Sequence, residues 1–96
     1  MKPSAALEAN RQAIRQAVQR FNTANPRVFG SVLYGEDRDG SDLDVLVDPL
    51  PGVTLFDLGG LHIELEELLG VPVDVLTPGD LPLKFREQVI LTAKPI

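Results

Sequence analysis

Gly30-Ser31-Val32-Leu33-Tyr34-Gly35-Glu36-Asp37-Arg38-Asp39-Gly40-Ser41-Asp42-Leu43-Asp44-Val45-Leu46-Val47 decides how the rest of the chain is read. It follows an apolar pair, Val28-Phe29, crosses a polar turn, and ends in two acids set into an apolar run. Residues i and i+2 of a strand face the same way, with Cα atoms roughly 6.5–7 Å apart. Asp42 and Asp44 therefore project together, and Leu43 and Val45 go to the other face. Two carboxylates held that close repel unless a cation lies between them, and hard oxygen ligands suit Mg²⁺. Gly30-Ser31 supplies a complementary part. A glycine after a strand lets a phosphate approach the backbone, and the Ser31 hydroxyl and nearby N–H groups can donate to it. A phosphate cradle and a metal-binding acid pair on adjacent strands are the parts of a phosphoryl- or nucleotidyl-transfer site.

Upstream, Ser4 is placed to cap a helix running to about Phe21, with Leu7, Ile14, Val18 and Phe21 on one face. Asn22 to Pro26 reads as the end of that helix, and Arg27 to Leu33 as a first strand that breaks at Gly30-Ser31. A short helical turn after that pair would aim N–H groups at a phosphate. Glu36 to Ser41 is a loop around the turn dipeptide Asp39-Gly40. Leu43 to Val47 is a second strand. Downstream, Thr54 and Asp57 form a capping box for a helix through Leu69, with Leu58, Leu61, Leu65 and Leu68 as its stripe and Gly70 as its stop. Gly59-Gly60 inside that helix points to close packing. Val71 to Leu76 is a third strand, Thr77 to Asp80 a turn, and Leu83 to about Thr92 a last helix begun by Pro82. This order implies an α+β fold, a small mixed sheet with helices packed mainly on one face.

Asp74 sits mid-strand between Val73 and Val75, which point to the opposite face. An acid there is costly unless paired, solvated or metal-bound. If this strand lies beside the second, Asp74 joins Asp42 and Asp44.

The bounds are those of one small domain, residues 1–96, with one core. The chain is 44% hydrophobic and 24% charged, ordinary for a soluble globular protein. It has no cysteine, which excludes a disulfide framework and cysteine-based zinc sites. No stretch reaches the roughly 20 apolar residues of a membrane span, and no signal-peptide core opens the sequence. A cytoplasmic location is expected. The net charge of −5 argues against direct nucleic-acid binding and suits a metal–nucleotide complex or a basic protein partner.

Gly30-Ser31, Ser41-Asp42-Leu43-Asp44, Val47-Asp48, Leu65 to Gly70, Val73 to Pro78 and the charged closing helix together resemble the DNA polymerase β-like nucleotidyltransferase superfamily. The closer resemblance is to the minimal nucleotidyltransferases, the MntA-like antitoxins of HEPN–MNT toxin–antitoxin pairs. The resemblance spans Val28 to Ile96. It implies the minimal nucleotidyltransferase fold, with Asp42, Asp44 and Asp74 as catalytic metal ligands and Gly30, Ser31 and Ser41 at the nucleotide. It implies two Mg²⁺ ions, roughly 3.5–4 Å apart in such sites, with ATP as substrate. One ion would bridge the phosphates and the other would activate the attacking hydroxyl. The implied reaction moves AMP to a hydroxyl of a HEPN-type toxin, silencing that ribonuclease. Members of this family often carry arginine where this chain has Tyr34. The alternative is a catalytically weak antitoxin that neutralises its partner by complex formation.

Other polar residues read more plainly. Asp37 to Asp42 is rich in oxygen ligands but fails the calcium-loop template: its glycine falls one step after the second acid and no glutamate stands at the twelfth position. Glu36 and Asp37 read as a solvated loop, Asp48 as the start of a turn, and Glu64, Glu66 and Glu67 as a solvated helix face. His62 reads as structural, with no acid placed to make it a base. Tyr34 reads as packing or as a platform for a base. Exposed strand edges allow pairing with a second copy or a partner.

Overall fold

The computed structural model describes residues Met1–Ile96. Its elements are α1 (Pro3–Ala9), α2 (Arg11–Arg20), β1 (Thr23–Phe29), β2 (Leu43–Pro49), α3 (Leu55–Leu69), β3 (Val73–Leu76), a 3₁₀ turn (Pro78–Asp80), α4 (Leu83–Thr92) and β4 (Lys94–Pro95). The sheet order is β3-β2-β1-β4. β1 runs antiparallel to β2 and β4, and β2 runs parallel to β3. This is the mixed α+β sheet that the sequence order implies.

The period-two pattern of β2 builds the core. Leu43, Val45 and Val47 are fully buried and join Val28 and Val73 on one face of the sheet. Ala6, Leu7, Ile14, Ala17 and Val18 of the first two helices and Leu61, Leu65 and Leu69 of α3 cover that face. Each large side chain buried this way contributes about 1.5–3 kcal/mol. The alternate residues Asp44, Leu46 and Asp48 take the other face. α4 lies on that second side, where its Phe85 and Val89 share a cleft with Phe29, and it buries none of its own residues.

α3 follows its sequence signals. Thr54 Oγ1 accepts the Asp57 N–H at 3.1 Å, Asp57 Oδ2 accepts the Thr54 N–H at 3.0 Å, and the helix closes at Gly70 in the left-handed conformation, φ 68°. Its two internal glycines differ. A Cβ at Gly60 would lie 2.6 Å from the Phe21 ring, so Gly60 makes room for a core aromatic. A Cβ at Gly59 would meet nothing within 4 Å. Gly59 thus costs the helix about 1 kcal/mol relative to alanine with no neighbour that requires it.

The N-terminal region departs from expectation. The single helix divides at Asn10, whose φ of −133° is not helical and whose side-chain amide donates to the Ala6 carbonyl at 2.9 Å. Ser4 caps nothing; Lys2 is the N-cap residue, and Pro3 starts α1. The segment from Thr23 to Pro26 is strand, not a helix end. Asn25, at φ 55°, and Pro26 form a bulge where the β1–β2 register shifts. Asp48 holds that bulge: its oxygens accept from Arg27 at 2.6 Å and Asn25 at 3.1 Å, so it is no turn-starter.

β3 is pinned at its start. The Pro72 carbonyl accepts the Leu43 N–H at 2.9 Å, and Glu66 Oε2 accepts the Val73 N–H at 3.0 Å. Glu66 is therefore a structural anchor, and Glu64 pairs with Arg20 at 2.6 Å. Only Glu67 of the acidic run remains as a plain solvated face.

Candidate active site

β1, β2 and β3 place one row of residues across the sheet: Phe29 opposite Asp44, and Asp44 opposite Asp74. Paired residues share a face, so the two acids stand side by side on the side away from α1–α3. Neighbouring strands lie about 4.8 Å apart, which sets the carboxylates within contact. The Asp44 pKa is pushed up to about 6. Burial is the first cause, the Asp74 charge the second, and the Asp42 charge adds to them. Asp42, just before β2, is exposed; Asp74 is exposed on the edge strand. Of the three acids singled out in the sequence, the structure sets Asp44 and Asp74 in one row, while Asp42 lies outside that row and acts on Asp44 only through its charge.

Gly30 ends β1 beside them. Its φ is +74°, and a Cβ there would fall 2.1 Å from Asp44 Oδ2. Glycine is required at this point both by the backbone and by the carboxylate that occupies the space. The chain then turns from Gly30 to Gly35 without forming a helix; the Glu36 N–H closes it onto the Ser31 carbonyl at 2.9 Å. Ser31 is half-buried in this turn. Ser41 accepts the Arg38 N–H through Oγ at 2.9 Å and so braces the loop that leads into Asp42.

The donor set fits a hard divalent cation. Asp44 and Asp74, paired in register on one face, are two oxygen donors in want of positive charge, with Asp42 within electrostatic reach. No group of three such side chains is already drawn together as a metal cage. The pair, with Asp42 to be recruited, is what this structure provides.

Two clefts of about 350 Å³ flank the acids. One adjoins Gly30, between Phe29, Leu33 and Tyr34 on one wall and Phe85, Gln88 and Val89 of α4 on the other. Tyr34 is 59% exposed here rather than packed. The other runs between Leu55, Leu58, Gly59 and His62 of α3 and the whole of β3, Asp74 included.

Several polar residues have partners that the sequence reading did not supply. His62 Nε2 lies 3.3 Å from Glu66 Oε2, one helical turn on, so an acid does stand beside it. The i,i+4 spacing was the available signal. The Val73 N–H and His62 hold the Glu66 carboxyl below the usual carboxylate range. Asp37 is buried, not solvated: it accepts the Ser4 N–H at 2.9 Å, which holds its pKa down and ties the active-site loop to α1. That partner lies 33 residues away, and nothing local announces it.

Comparison with known proteins bears on the family and the fold. Residues 11–96 match the model of the nucleotidyltransferase domain. The protein adenylyltransferase MntA of Thermococcus cleftensis is 36% identical over 88% of this chain and 82% of its own length. A solved structure described provisionally as a minimal nucleotidyltransferase superposes with a TM-score of 0.87 at 43% identity, covering 97% of this chain and 95% of the other. A toxin–antitoxin complex with AMP-PNP shares the fold, with a TM-score of 0.75 at 20% identity over 90% of this chain and 71% of that one. No helix of the chain is long and apolar enough to cross a membrane. A domain match over nearly the whole chain, on a sheet that sets two acids in one row beside a glycine turn, places this protein in the nucleotidyltransferase domain family.

Proposed function

We propose that the chain is a Mg²⁺-dependent protein adenylyltransferase that moves AMP from ATP to a hydroxyl of a HEPN-type toxin and so silences it. The observation that carries this reading is the Asp44–Asp74 pair in register, with Gly30 opened against Asp44. The relative named protein adenylyltransferase and the toxin–antitoxin complex of the same fold support it. Asp42, Asp44 and Asp74 would hold the metal; Gly30, Ser31 and Ser41 would face the nucleotide. Bound Mg²⁺ supplies positive charge to the triphosphate and to the attacking oxygen.

The residues of the chain do the rest. Gly30 lets the phosphates come close to the backbone, and the turn N–H groups and the Ser31 hydroxyl donate to them. Phosphates held at that turn would bring the α-phosphorus within reach of the acceptor oxygen. Asp74, exposed on the edge, takes the proton as the acceptor O–P bond forms. The bond from the α-phosphorus to the bridging oxygen breaks, and pyrophosphate leaves.

The test is intact mass spectrometry of the adjacent gene's product after incubation with the chain, ATP and Mg²⁺. A gain of one or more AMP units is expected, abolished by Asp42→Asn in a chain that still folds. Transfer that persists in that variant sinks the assignment. A silenced partner with no mass gain identifies the other reading, an antitoxin that works by binding, which the exposed Tyr34 beside Gly30 would favour.

A further inference from the structure

β3 is an edge strand, paired only with β2. Successive residues of a strand turn their backbone polar groups to alternate sides. The Pro72 carbonyl bonds Leu43 of β2, so the groups of Asp74 and Leu76 also face β2 and those of Val73 and Val75 face outward. Glu66 takes the Val73 N–H. The Val73 carbonyl and both backbone groups of Val75 remain unmatched, a short template for one more strand.

A strand added there continues the row Phe29–Asp44–Asp74 by one position, about 4.8 Å beyond Asp74. Its residue in that row shares the face of the acids. The residues before and after it point to the α3 side, into the cleft formed with Leu55, Leu58, Gly59 and His62. Gly59 gains meaning here. It weakens its helix, and nothing within the chain occupies the space it leaves. Leu55, at the cleft's mouth, is 86% exposed, an apolar side chain without a cover. The lining includes Asp74 and no lysine or arginine, in a chain of net charge −5. The occupant is therefore extended, apolar on either side of a hydroxyl residue, and basic nearby.

We propose that β3 and this cleft are the docking site of the acceptor protein: an extended segment pairs with the β3 edge and sets its hydroxyl beside Asp74. This rests on the nucleotidyltransferase reading. In that register the acceptor oxygen bonds to the α-phosphorus of ATP, its proton passes to Asp74, and pyrophosphate departs with the broken bond. The nucleotide uses the Gly30 side and the acceptor the Gly59 side.

Hydrogen exchange of the chain with and without the adjacent gene's product tests the docking without any turnover. The Val75 amide is expected to gain protection of roughly tenfold or more on complex formation. In parallel, Gly59→Leu is expected to keep its melting transition and its affinity for Mg-ATP by calorimetry, and to transfer at least about tenfold more slowly; Gly59→Ala shows a smaller loss. A complex that leaves Val75 exchange unchanged overturns the proposal, as does a folded Gly59→Leu chain that transfers at the wild-type rate. Failure of the two proteins to associate overturns it as well. Val75 protection without any transfer by the wild type supports the docking site and defeats the nucleotidyltransferase reading.

Discussion

Gly30→Ala separates backbone strain from damage to the site. The position has φ +74°, where a non-glycine residue costs about 1–2 kcal/mol. The new Cβ would also lie 2.1 Å from Asp44 Oδ2, against about 3.4 Å for ordinary contact, so the carboxylate must retreat by roughly 1.3 Å. It is the end of a flexible side chain, so the retreat adds little to the stability loss. It does move the row partner of Asp74, the carboxylate to which the proposed function gives a metal-binding role. A misplacement of about 1 Å costs on the order of 100-fold in rate. Gly35 is the control: its φ is +69° and a Cβ there meets nothing within 4 Å. Urea unfolding is expected to give both alanine variants the same loss of about 1–2 kcal/mol. AMP transfer, read by mass, is expected to fall about 100-fold in Gly30→Ala alone. Equal transfer losses in the two variants, or near-normal transfer by Gly30→Ala, would refute the claim that Gly30 exists to seat Asp44.

Two further outcomes follow from the same geometry. In metal-free protein Asp44 is expected to titrate near pH 6 by carboxyl NMR, because burial and the Asp74 charge favour its protonated form. The folded state then holds a proton that the unfolded state has lost between about pH 4 and 6, so the Asp44 contribution to stability falls as pH rises through that window. Added Mg²⁺ should drive the midpoint down; a midpoint near 4 that ignores Mg²⁺ would contradict the pairing. Thr54→Ala removes the reciprocal cap of α3 and should cost about 1 kcal/mol in urea unfolding, with AMP transfer per folded molecule unchanged.

What was legible in the sequence was what local rules govern. Thr54, Asp57 and Gly70 marked both ends of α3, Pro82 marked the start of α4, and period-two alternation set the faces of Asp44 and Asp74. Setting Asp74 beside Asp44 needed only that β2 and β3 be neighbours, and they are in register. Three features escaped because their causes lie outside a local window or run against propensity. Asn10 interrupts a helical pattern by bonding back to Ala6, and Asn25 takes a left-handed conformation that lets Pro26 sit in a bulged strand. Asp37 is buried through a partner at Ser4. Two-residue β4 is too short for any periodicity to show; the Ile96 N–H, bonded to the Pro26 carbonyl at 2.9 Å, is what draws it to β1.

The Glu66–Val73 hydrogen bond limits how this protein can tolerate insertions. It fixes where β3 begins relative to α3, and side chains alternate along a strand with period two. One residue added between Gly70 and Asp74 would turn the carboxylate toward Leu61 and Leu65 and leave a valine in the row with Asp44. Two residues would restore the face and carry the acid about 6.6 Å along the strand, out of the row. The short passage from α3 into β3 is therefore intolerant of indels of either parity, whereas the Glu36–Ser41 loop can change length without altering the β2–β3 register. Among homologues that keep the reaction, length variation should collect in that loop and be absent between the helix stop and the third acid.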